Sequence, residues 1–350
     1  MTRAFFPLDQ ELHLTRRGRS PRLARLTTWL GAQLPYEQTR AVLSEVGGIS
    51  LSKSTCWRIM QECGEAMAQE LAAEEDQVKA AAREWSTPGG RQLAKGPMGL
   101  ALDGAMIHLL DEGWKEFKAA CVFDVELEER VDARTEDRGW FGHAVRSSYV
   151  VHLGGPERIG WQAWTEAQRR GWHAARDTIV IGDGAPWIWN LREEHFGDSL
   201  TLVDWYHATE HLGEAKVLLY PQVEDATASR WYNRHEKLLF QGHADQVADS
   251  LHTTAKKTSQ AELATELHKA AQYFEHNRDA MQYQDRRNEG WPIGSGMIES
   301  GAKQFKARVT GPGMRWKRPY AERILAVRGA VMTSKSRFDD LWARACAPSA

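Results

Sequence analysis

The stretch TIVIGDGAPWIWNLREEHFGDSLTLVD, residues 178–204, contains two short apolar runs separated by a segment with helical spacing. The first run ends at Gly182, Asp183 and Gly184, and the second ends at Asp204. Short apolar runs that stop at Gly or Asp are typical of buried strands, and the Trp-rich segment between them is long enough for a helix. The stretch therefore predicts a strand–helix–strand unit in which each strand ends at a carboxylate.

Three more strands are expected upstream of this unit, in GLALDGAMIHLL (99–110), WKEFKAACVFDVELE (114–128) and SSYVVHL (147–153). The first of them should carry a break or bulge at Asp103 and Gly104, because Asp-Gly is common in turns. With a helix over 156–171, the order becomes βββαβαβα. This order predicts an α/β protein with a mixed sheet and helices on its faces. It is also the order of an RNase H-like fold, in which the first strand lies beside the fourth.

The type of sequence pattern changes along the chain. Strand patterns disappear after residue 212, and a turn rich in Gly and Pro precedes one more helix around 297–309. We predict a helical DNA-binding region at 1–90, the first part of an RNase H-like catalytic core at 91–212, an all-helical insertion at 213–289, the final part of the core with a basic segment at 290–335, and a tail at 336–350.

Residues 36–63 are typical of two helices around a glycine break. Gly48 can end the first helix in a left-handed conformation, and Ser52 is suited to capping the second. Helix, Gly-containing turn and second helix form the outline of a helix-turn-helix motif, although an ordinary helical hairpin has the same outline. In the motif, residues at the start of the second helix reach base edges. Here these are Lys53, Ser54 and Arg58.

Composition excludes several classes of protein. The chain has 350 residues, of which 42% are hydrophobic and 26% charged, with a formal net charge of −2, so we expect a globular protein and not a disordered chain. No apolar run approaches the roughly 20 residues of a membrane span, and the start of the chain lacks the apolar core of a secretory signal. The four cysteines form no CxxC pairs, which argues against a zinc finger. We expect a cytoplasmic, nucleoid-associated protein with reduced thiols.

Three acidic residues are candidates for catalysis: Asp103, Asp183 and Glu299. If the first and fourth strands are neighbours, Asp103 and Asp183 project side by side, and two carboxylates that close repel unless a cation lies between them. Mg²⁺ prefers oxygen ligands and leaves room for phosphate oxygens. Glu299, on a helix that crosses this edge, would complete a two-metal site. Each residue alone has a simpler interpretation, as a turn residue or as an acid at a helix N-terminus.

Asp204 begins a second group, which continues with His207 and His211. The two histidines are four residues apart and share one helix face, so a Zn²⁺ site with Asp204 as a third ligand is one interpretation. The alternative is that Asp204 caps the helix while the histidines pack or contact phosphate. The fifth strand lies one step further from the first strand, so Asp183 is the better partner for Asp103.

Four stretches together resemble bacterial insertion-sequence transposases of the DDE class, in particular the Kra-type group related to Mutator-like transposases. They are LALDGAMI, VIGDGAPWIWN, LVDWYHATEHL and GWPIGSGMIESGAKQFKARVTGPGMRW. The last stretch is the most specific, because its Gly-Ser-Gly-x-x-Glu-Ser run is followed by a Gly-Met-x-Trp run. The resemblance covers most of the chain, from the helix-turn-helix region to Trp316.

The resemblance implies a DNA transposase with an RNase H-like fold and a helical insertion before the final Glu. It implies that Asp103, Asp183 and Glu299 are the catalytic acids and hold two Mg²⁺ or Mn²⁺ ions. It also implies that Asp204 and His207 form the Asp-x-x-His element that follows the second acid. The DNA partners would be the terminal inverted repeats and the target, bound by a homo-oligomer without a membrane.

Basic and aromatic residues near the final helix are further candidates for DNA contact. Lys303 should lie one turn after Glu299 on the same helix face, and core packing is an equal alternative for Trp316. The full candidate set in this segment is Lys303, Lys306, Arg308, Arg315, Trp316 and Lys317. Two other functions stay open at this point: a transposase-derived, non-catalytic DNA-binding protein and a stand-alone RNase H-like nuclease. A zinc hydrolase built on Asp204 and the two histidines is a third.

Overall fold

The computed structural model describes residues 19–84, 95–131, 138–221 and 226–346. The first range is helical, and its helices are α1 (Pro21–Gln33), α2 (Tyr36–Gly47) and α3 (Lys53–Glu84). Gly48 ends α2 with φ of 61°, and the Ser52 hydroxyl accepts a hydrogen bond from the Thr55 N–H at 3.1 Å. Both predicted helix ends are therefore confirmed. The stretch STPGGRQLAKGPMG, residues 86–99, predicts a turn-rich linker with a domain boundary, and it lies largely outside the described ranges.

The middle of the chain forms one mixed, five-stranded sheet. Its strands are β1 (Met98–Leu109), β2 (Gly113–Val131), β3 (Arg138–His152), β4 (Thr178–Gly182) and β5 (Leu200–Val203), in the spatial order β3-β2-β1-β4-β5. β2 is antiparallel to both β1 and β3, whereas β4 runs parallel to both β1 and β5. The prediction of a mixed sheet with the first strand beside the fourth is confirmed.

The predicted break at Asp103 and Gly104 is wrong. β1 continues through both residues, and the register with β2 runs without a shift from Asp103 opposite Ala119 to Gly104 opposite Lys118. A Cβ at Gly104 would meet only the carboxylate end of the flexible Glu116 side chain, which can move aside, so packing across the strands does not by itself require the glycine.

The third strand is longer than its sequence pattern predicts. Residues 147–153 cover only its second half, and the first half pairs with the end of β2 as a two-stranded ribbon. Along the ribbon the β2 residues are exposed, and the β3 residues alternate between exposed and half-buried, with Gly142 buried. A ribbon that buries so few side chains imposes no clear alternating apolar pattern, which explains why the sequence did not reveal it.

Helices cover both faces of the sheet. Helices α4 (Pro156–Arg169) and α5 (Pro186–His195) pack on the face that carries Leu100, Val122 and Val180. Helices α6 (Trp205–Leu219) and α11 (Gly296–Val309) pack on the opposite face, with Ala101 and Ile181. Because side chains alternate along a strand, Asp103 projects to the same face as Ala101, toward α11.

The segment predicted to be an all-helical insertion is helical in its described part. After α6 it contains α7 (Ala226–Phe240), α8 (Ala244–Lys257), α9 (Ala261–Asn277) and α10 (Tyr283–Asn288). Helices α8 and α9 pack along each other, and α9 also packs on α6. The insertion is thereby in contact with the helix that follows Asp204.

Two helices close the described chain, α12 (Arg318–Thr333) and α13 (Lys335–Cys346). The predicted tail is wrong for residues 336–346, because α13 buries Phe338, Leu341 and Trp342 against the rest of the protein. Both helices pack on α3, and Arg337 forms an ion pair with Glu74 at 2.5 Å. The helices at the two ends of the chain therefore share a core.

No helix within the described ranges combines the length and the apolar character that a membrane span requires.

Candidate functional site

Two carboxylates, Asp183 and Asp204, follow the ends of β4 and β5, and a third, Asp103, lies within the neighbouring strand β1. Ala101 on β1 pairs with Ile181 on β4, and Asp103 and Asp183 each follow that pair by two residues. The Asp204 N–H donates to the Gly182 carbonyl at 2.7 Å, which places Asp204 beside Asp183. The carboxyl ends of parallel strands are the usual place for a ligand in an α/β sheet.

Asp103 lies in a strongly perturbed environment. Burial raises the pKa of its carboxyl to about 6, with the negative charges of Asp183 and Glu299 adding to the effect. The Gly104 N–H donates to Asp103 Oδ1 at 2.7 Å, and this hydrogen bond and the nearby His207 ring oppose the rise in pKa. A half-buried carboxyl surrounded by acids is stabilised by a cation, and such groups concentrate at functional sites.

Asp183 is held in a tight turn. Its Oδ1 accepts a hydrogen bond from the Ala185 N–H at 2.8 Å, and Gly184 has φ of 94°, which side chains rarely adopt. A Cβ at Gly184 would also press on Tyr273 and Asn277 of α9. The glycine is needed here both for the backbone angle and for the close approach of the helical insertion.

Helix α9 fixes this turn from outside the sheet. The Tyr273 hydroxyl donates to the Asp183 carbonyl at 3.0 Å, and Trp189 Nε1 donates to Asn277 Oδ1 at 2.8 Å. Burial raises the pKa of the Tyr273 hydroxyl, and the charge of Asp183 adds to this, so the group stays a hydrogen-bond donor. These contacts make Tyr273 and Asn277 positioning residues that the sequence analysis missed, since no local pattern connects α9 with β4.

Asp204 is fully buried, and its carboxylate accepts hydrogen bonds from backbone N–H groups at the starts of two helices. Its Oδ1 accepts a hydrogen bond from the His207 N–H at 2.9 Å, and its Oδ2 accepts one from the Ser295 N–H. The first bond confirms that Asp204 caps α6, and the second reaches the residue that precedes α11. The Trp205 N–H also donates to the Ile293 carbonyl at 3.0 Å. The carboxylate thus fixes the start of α6 against the start of α11.

Glu299 lies in the first turn of α11, which crosses β1 and β2. The crossing is close because Gly301 leaves room for the Tyr149 ring, and the Tyr149 hydroxyl donates to the Met297 carbonyl at 3.2 Å. Lys303 Nζ lies 3.5 Å from Glu299 Oε2, as the one-turn spacing predicted. Helix α11 therefore presents an acid and a base to the sheet edge from the same face.

A mixed cluster joins these elements. The ligand atoms of Asp204, His207 and Glu299 lie within 4.8 Å of one another, and within the described ranges no other group of three His, Cys or acidic residues is arranged so closely. Sequence reasoning did not group Glu299 with His207. A groove of about 460 Å³ runs over the cluster, and its lining includes Asp103, His207, Glu299, Lys303 and Lys306.

The predicted zinc set of Asp204, His207 and His211 is not assembled. The His211 ring packs on the Tyr273 ring, with centroids 3.9 Å apart, and His211 Nδ1 lies 3.3 Å from Glu214 Oε2. Although the two histidines are four residues apart on α6, the second one therefore supports the insertion, and only the first joins the acids.

The three predicted acids carry the right donor atoms but are not assembled as closely as the mixed cluster. Asp103, Asp183 and Glu299 supply carboxylate oxygens, the ligands that Mg²⁺ and Mn²⁺ favour, whereas only Glu299 of the three belongs to the group within 4.8 Å in the described part of the chain. The acids are half-buried, and Lys303, the cation paired with Glu299, is 78% exposed. Acidic side chains whose negative charge is so weakly balanced by nearby basic residues are typical of sites that bind a cation together with an anionic substrate.

Two residues of the predicted basic segment are not available for binding. Arg308 is 2% exposed, its Nε donates to the Gly31 carbonyl at 2.9 Å, and its guanidinium lies over the Tyr36 ring. Trp316 is 6% exposed, and its Nε1 donates to the Val309 carbonyl at 2.7 Å. Assigning them to DNA contact was wrong, because both fill the core between the terminal helices and the sheet. The remaining candidates are exposed: Lys303, Lys306, Arg315 and Lys317.

The helix-turn-helix candidates lie on the surface. Lys53, Ser54 and Arg58 are exposed in the first two turns of α3. Arg58 Nη2 donates to the Thr55 hydroxyl at 3.2 Å, which directs its guanidinium along the helix toward the N-terminus. The backbone thus presents the three side chains at one helix end, as the motif requires.

Comparisons with known proteins add no assignment: no protein-family model matches the chain, and no curated protein is significantly similar to it.

Proposed function

We propose that the protein is a DNA transposase of the DDE class, which cleaves DNA at the ends of an insertion sequence and joins the resulting 3′-hydroxyls to target DNA. The observation that carries the proposal is the approach of three acids on different elements: Asp103 within β1, Asp183 just after the adjacent parallel strand β4, and Glu299 on α11, whose charges both act on the Asp103 carboxyl. A protein that only binds DNA has no need for three half-buried acids so close to one another.

The strand order supports the proposal. Three antiparallel strands followed by two parallel ones, in the order β3-β2-β1-β4-β5, are what an RNase H-like sheet requires. We assign that fold as part of the proposal, because it explains why acids far apart in sequence project from neighbouring strands. The resemblance of the surrounding sequence to DDE transposases leads to the same assignment.

The acids have distinct tasks in this function. Asp103, Asp183 and Glu299 would together hold two Mg²⁺ or Mn²⁺ ions. Bound there, the ions would activate a water or 3′-hydroxyl and stabilise charge on the phosphate oxygens. The chain's own contribution is to fix these carboxylates before the substrate arrives, through the Gly104 and Ala185 N–H groups.

Basic residues extend the groove toward the DNA backbone. Lys303 and Lys306 line it, and Arg315 and Lys317 are exposed in the segment that follows α11. Because phosphate contacts position DNA without reading its sequence, this strip suits the scissile strand. Reading of the terminal repeats falls to the start of α3, which lies on a separate element.

The test uses a supercoiled plasmid that carries the gene with its flanking DNA. The purified full chain with Mg²⁺ or Mn²⁺ should nick the plasmid at the element ends and give products joined to new sites, and a chelator should stop both reactions. Nicking without joined products would replace the proposal with a stand-alone nuclease. Binding of the flanking DNA without nicking would replace it with a non-catalytic DNA-binding protein.

A further inference from the structure

The cluster at the start of α6 differs from a carboxylate-only site because it contains an imidazole. We propose that Asp204, His207 and Glu299 form a divalent cation site with one nitrogen ligand, and that this site binds Mn²⁺ in preference to Mg²⁺. The inference deepens the proposed function, since it selects the metal used beside Asp103 and Asp183. The geometry that carries it is the mutual approach of the three ligand atoms within 4.8 Å.

The His207 ring is oriented as metal-binding histidines are. Its Nδ1 lies 3.7 Å from Glu210 Oε2, one turn further along α6. A metal-bound histidine usually directs its other ring nitrogen at a carboxylate, which fixes the tautomer and makes the ligand more basic. With Nδ1 facing Glu210, Nε2 is the nitrogen left for the cation. The ring lines the same groove as Asp103 and Glu299.

Asp204 supplies an independent reason for a cation. The side chain is fully buried, and its hydrogen bonds come from two backbone N–H groups. No Lys or Arg in the described part of the chain forms an ion pair with this carboxylate. Buried carboxylates are normally paired with a cation or bound to a metal, and each oxygen of Asp204 keeps a second lone pair.

Glu299, the third member of the cluster, can exchange its present ion-pair partner for a metal cation. Glu299 pairs with Lys303 at 3.5 Å, and the Lys303 side chain is 78% exposed. An exposed ion pair of this kind contributes little to stability, so a divalent cation can displace the Lys303 ammonium. Lys303 would then be released toward a phosphate in the groove.

The nitrogen ligand determines the metal preference. Mg²⁺ takes oxygen ligands and gives up its water shell reluctantly. Imidazole suits the divalent transition metals, whose affinity for such sites rises from Mn²⁺ onward. A site with two carboxylates and one imidazole therefore favours a transition-metal ion, and Mn²⁺ is the member of that series that also accepts carboxylate and phosphate oxygens.

The experiment measures metal binding by the full chain in the absence of DNA. Mn²⁺ is titrated into the protein while electron paramagnetic resonance reports the free ion, and Mg²⁺ is then added as a competitor. His207→Asn should lower the Mn²⁺ affinity by about tenfold or more, with a much smaller change in the Mg²⁺ affinity. His211→Asn, on the same helix and one turn away, is the matched control and should leave both affinities as in the wild type.

A second variant tests the nitrogen specifically. His207→Asp replaces the imidazole with an oxygen ligand, so it should still bind a divalent ion but shift the preference toward Mg²⁺. If His207→Asn does not fold, as judged by thermal unfolding without metal, His207→Asp carries the test alone. Unchanged Mn²⁺ affinity in His207→Asn, or an unchanged preference in His207→Asp, would overturn the inference.

These outcomes are independent of the proposed function. If the wild type cleaves DNA but its Mn²⁺ affinity is the same as that of His207→Asn, the nitrogen ligand is refuted and the transposase proposal stands. Mn²⁺ binding that depends on His207, in a protein that never cleaves DNA, would do the reverse.

Discussion

The carboxylate of Asp204 joins three parts of the candidate site. The backbone N–H of Asp204 donates to the Gly182 carbonyl next to Asp183. The two carboxylate oxygens accept hydrogen bonds from the backbone N–H groups of His207 and Ser295. Sequence reasoning had placed Asp204 second to Asp183 on strand order alone. The contacts give it a positioning role in addition, because it sets where α6 and α11 begin relative to β4.

Asp204→Asn tests this role. An amide retains one acceptor oxygen but turns an N–H toward a second buried donor, so one backbone N–H loses its partner. The free energy of unfolding should fall by about 1–3 kcal/mol in a denaturant titration. Asp198→Asn, in the exposed turn before β5 and outside the cluster, is the control. A loss within the error of that control would show that the carboxylate does not join the two helices.

Tyr273 gives a second prediction at the same scale. Tyr273→Phe removes the hydroxyl that donates to the Asp183 carbonyl and keeps the ring that packs on His211. We expect a loss of about 0.5–1.5 kcal/mol in stability and slower DNA cleavage, with metal affinity measured alongside to show whether Asp183 has shifted. Tyr320 lies on α12 and its ring packs against Trp57 of α3, so Tyr320→Phe should leave cleavage unchanged. Equal cleavage by the two variants would remove Tyr273 from the site.

Among the elements, the strands and most helices follow from local pattern. The apolar runs of β1, β2, β4 and β5 and the cap of α3 by Ser52 are all visible in the sequence, because burial and capping leave a local signature. The more exposed half of β3 leaves no such signature in the sequence. The approach of His207 to Glu299 was also hidden, since it depends on a loop at 290–295 that returns from the insertion to Asp204.

The contact of α3 with α13 gives a prediction about pH. Arg337 is 8% exposed and forms an ion pair with Glu74. Burial alone would raise the pKa of the Glu74 carboxyl. The hydrogen bonds and charge of Arg337 outweigh burial and lower that pKa below its ordinary value of 4.5. A group with a lowered folded-state pKa stabilises the fold above its unfolded pKa, and this contribution is lost as the pH falls through the folded value.

Glu74→Gln should therefore lower the free energy of unfolding at pH 7 by about 1–3 kcal/mol, and the difference from the wild type should shrink as the pH falls below 4.5. Glu65→Gln is the matched control, because Glu65 is 52% exposed where it pairs with Arg323. Urea unfolding at several pH values measures both. A difference that stays constant with pH would contradict the ion-pair explanation.

At the scale of the whole molecule, two basic surfaces have different tasks in the proposed function. In that proposal, the strip formed by Lys303, Lys306, Arg315 and Lys317 would contact phosphates near the acids, and the start of α3 would read the element ends. Lys53→Ala with Arg58→Ala should weaken binding to a flanking-DNA fragment by about 1–3 kcal/mol relative to a scrambled fragment. Lys256→Ala with Lys257→Ala removes the same charge from the exposed end of α8 and is the control. Equal losses for both fragments would refute sequence reading by α3.

The most direct test of the central claim compares plasmid nicking by three proteins in Mg²⁺ and in Mn²⁺. Asp103→Asn removes an acid from the strand edge, and Asp111→Asn removes one from the exposed turn after β1. If Asp103 holds the metals, the first variant should lose at least about 10²–10³-fold in nicking rate while the second cleaves like the wild type. Nicking by Asp103→Asn at the wild-type rate would contradict the account.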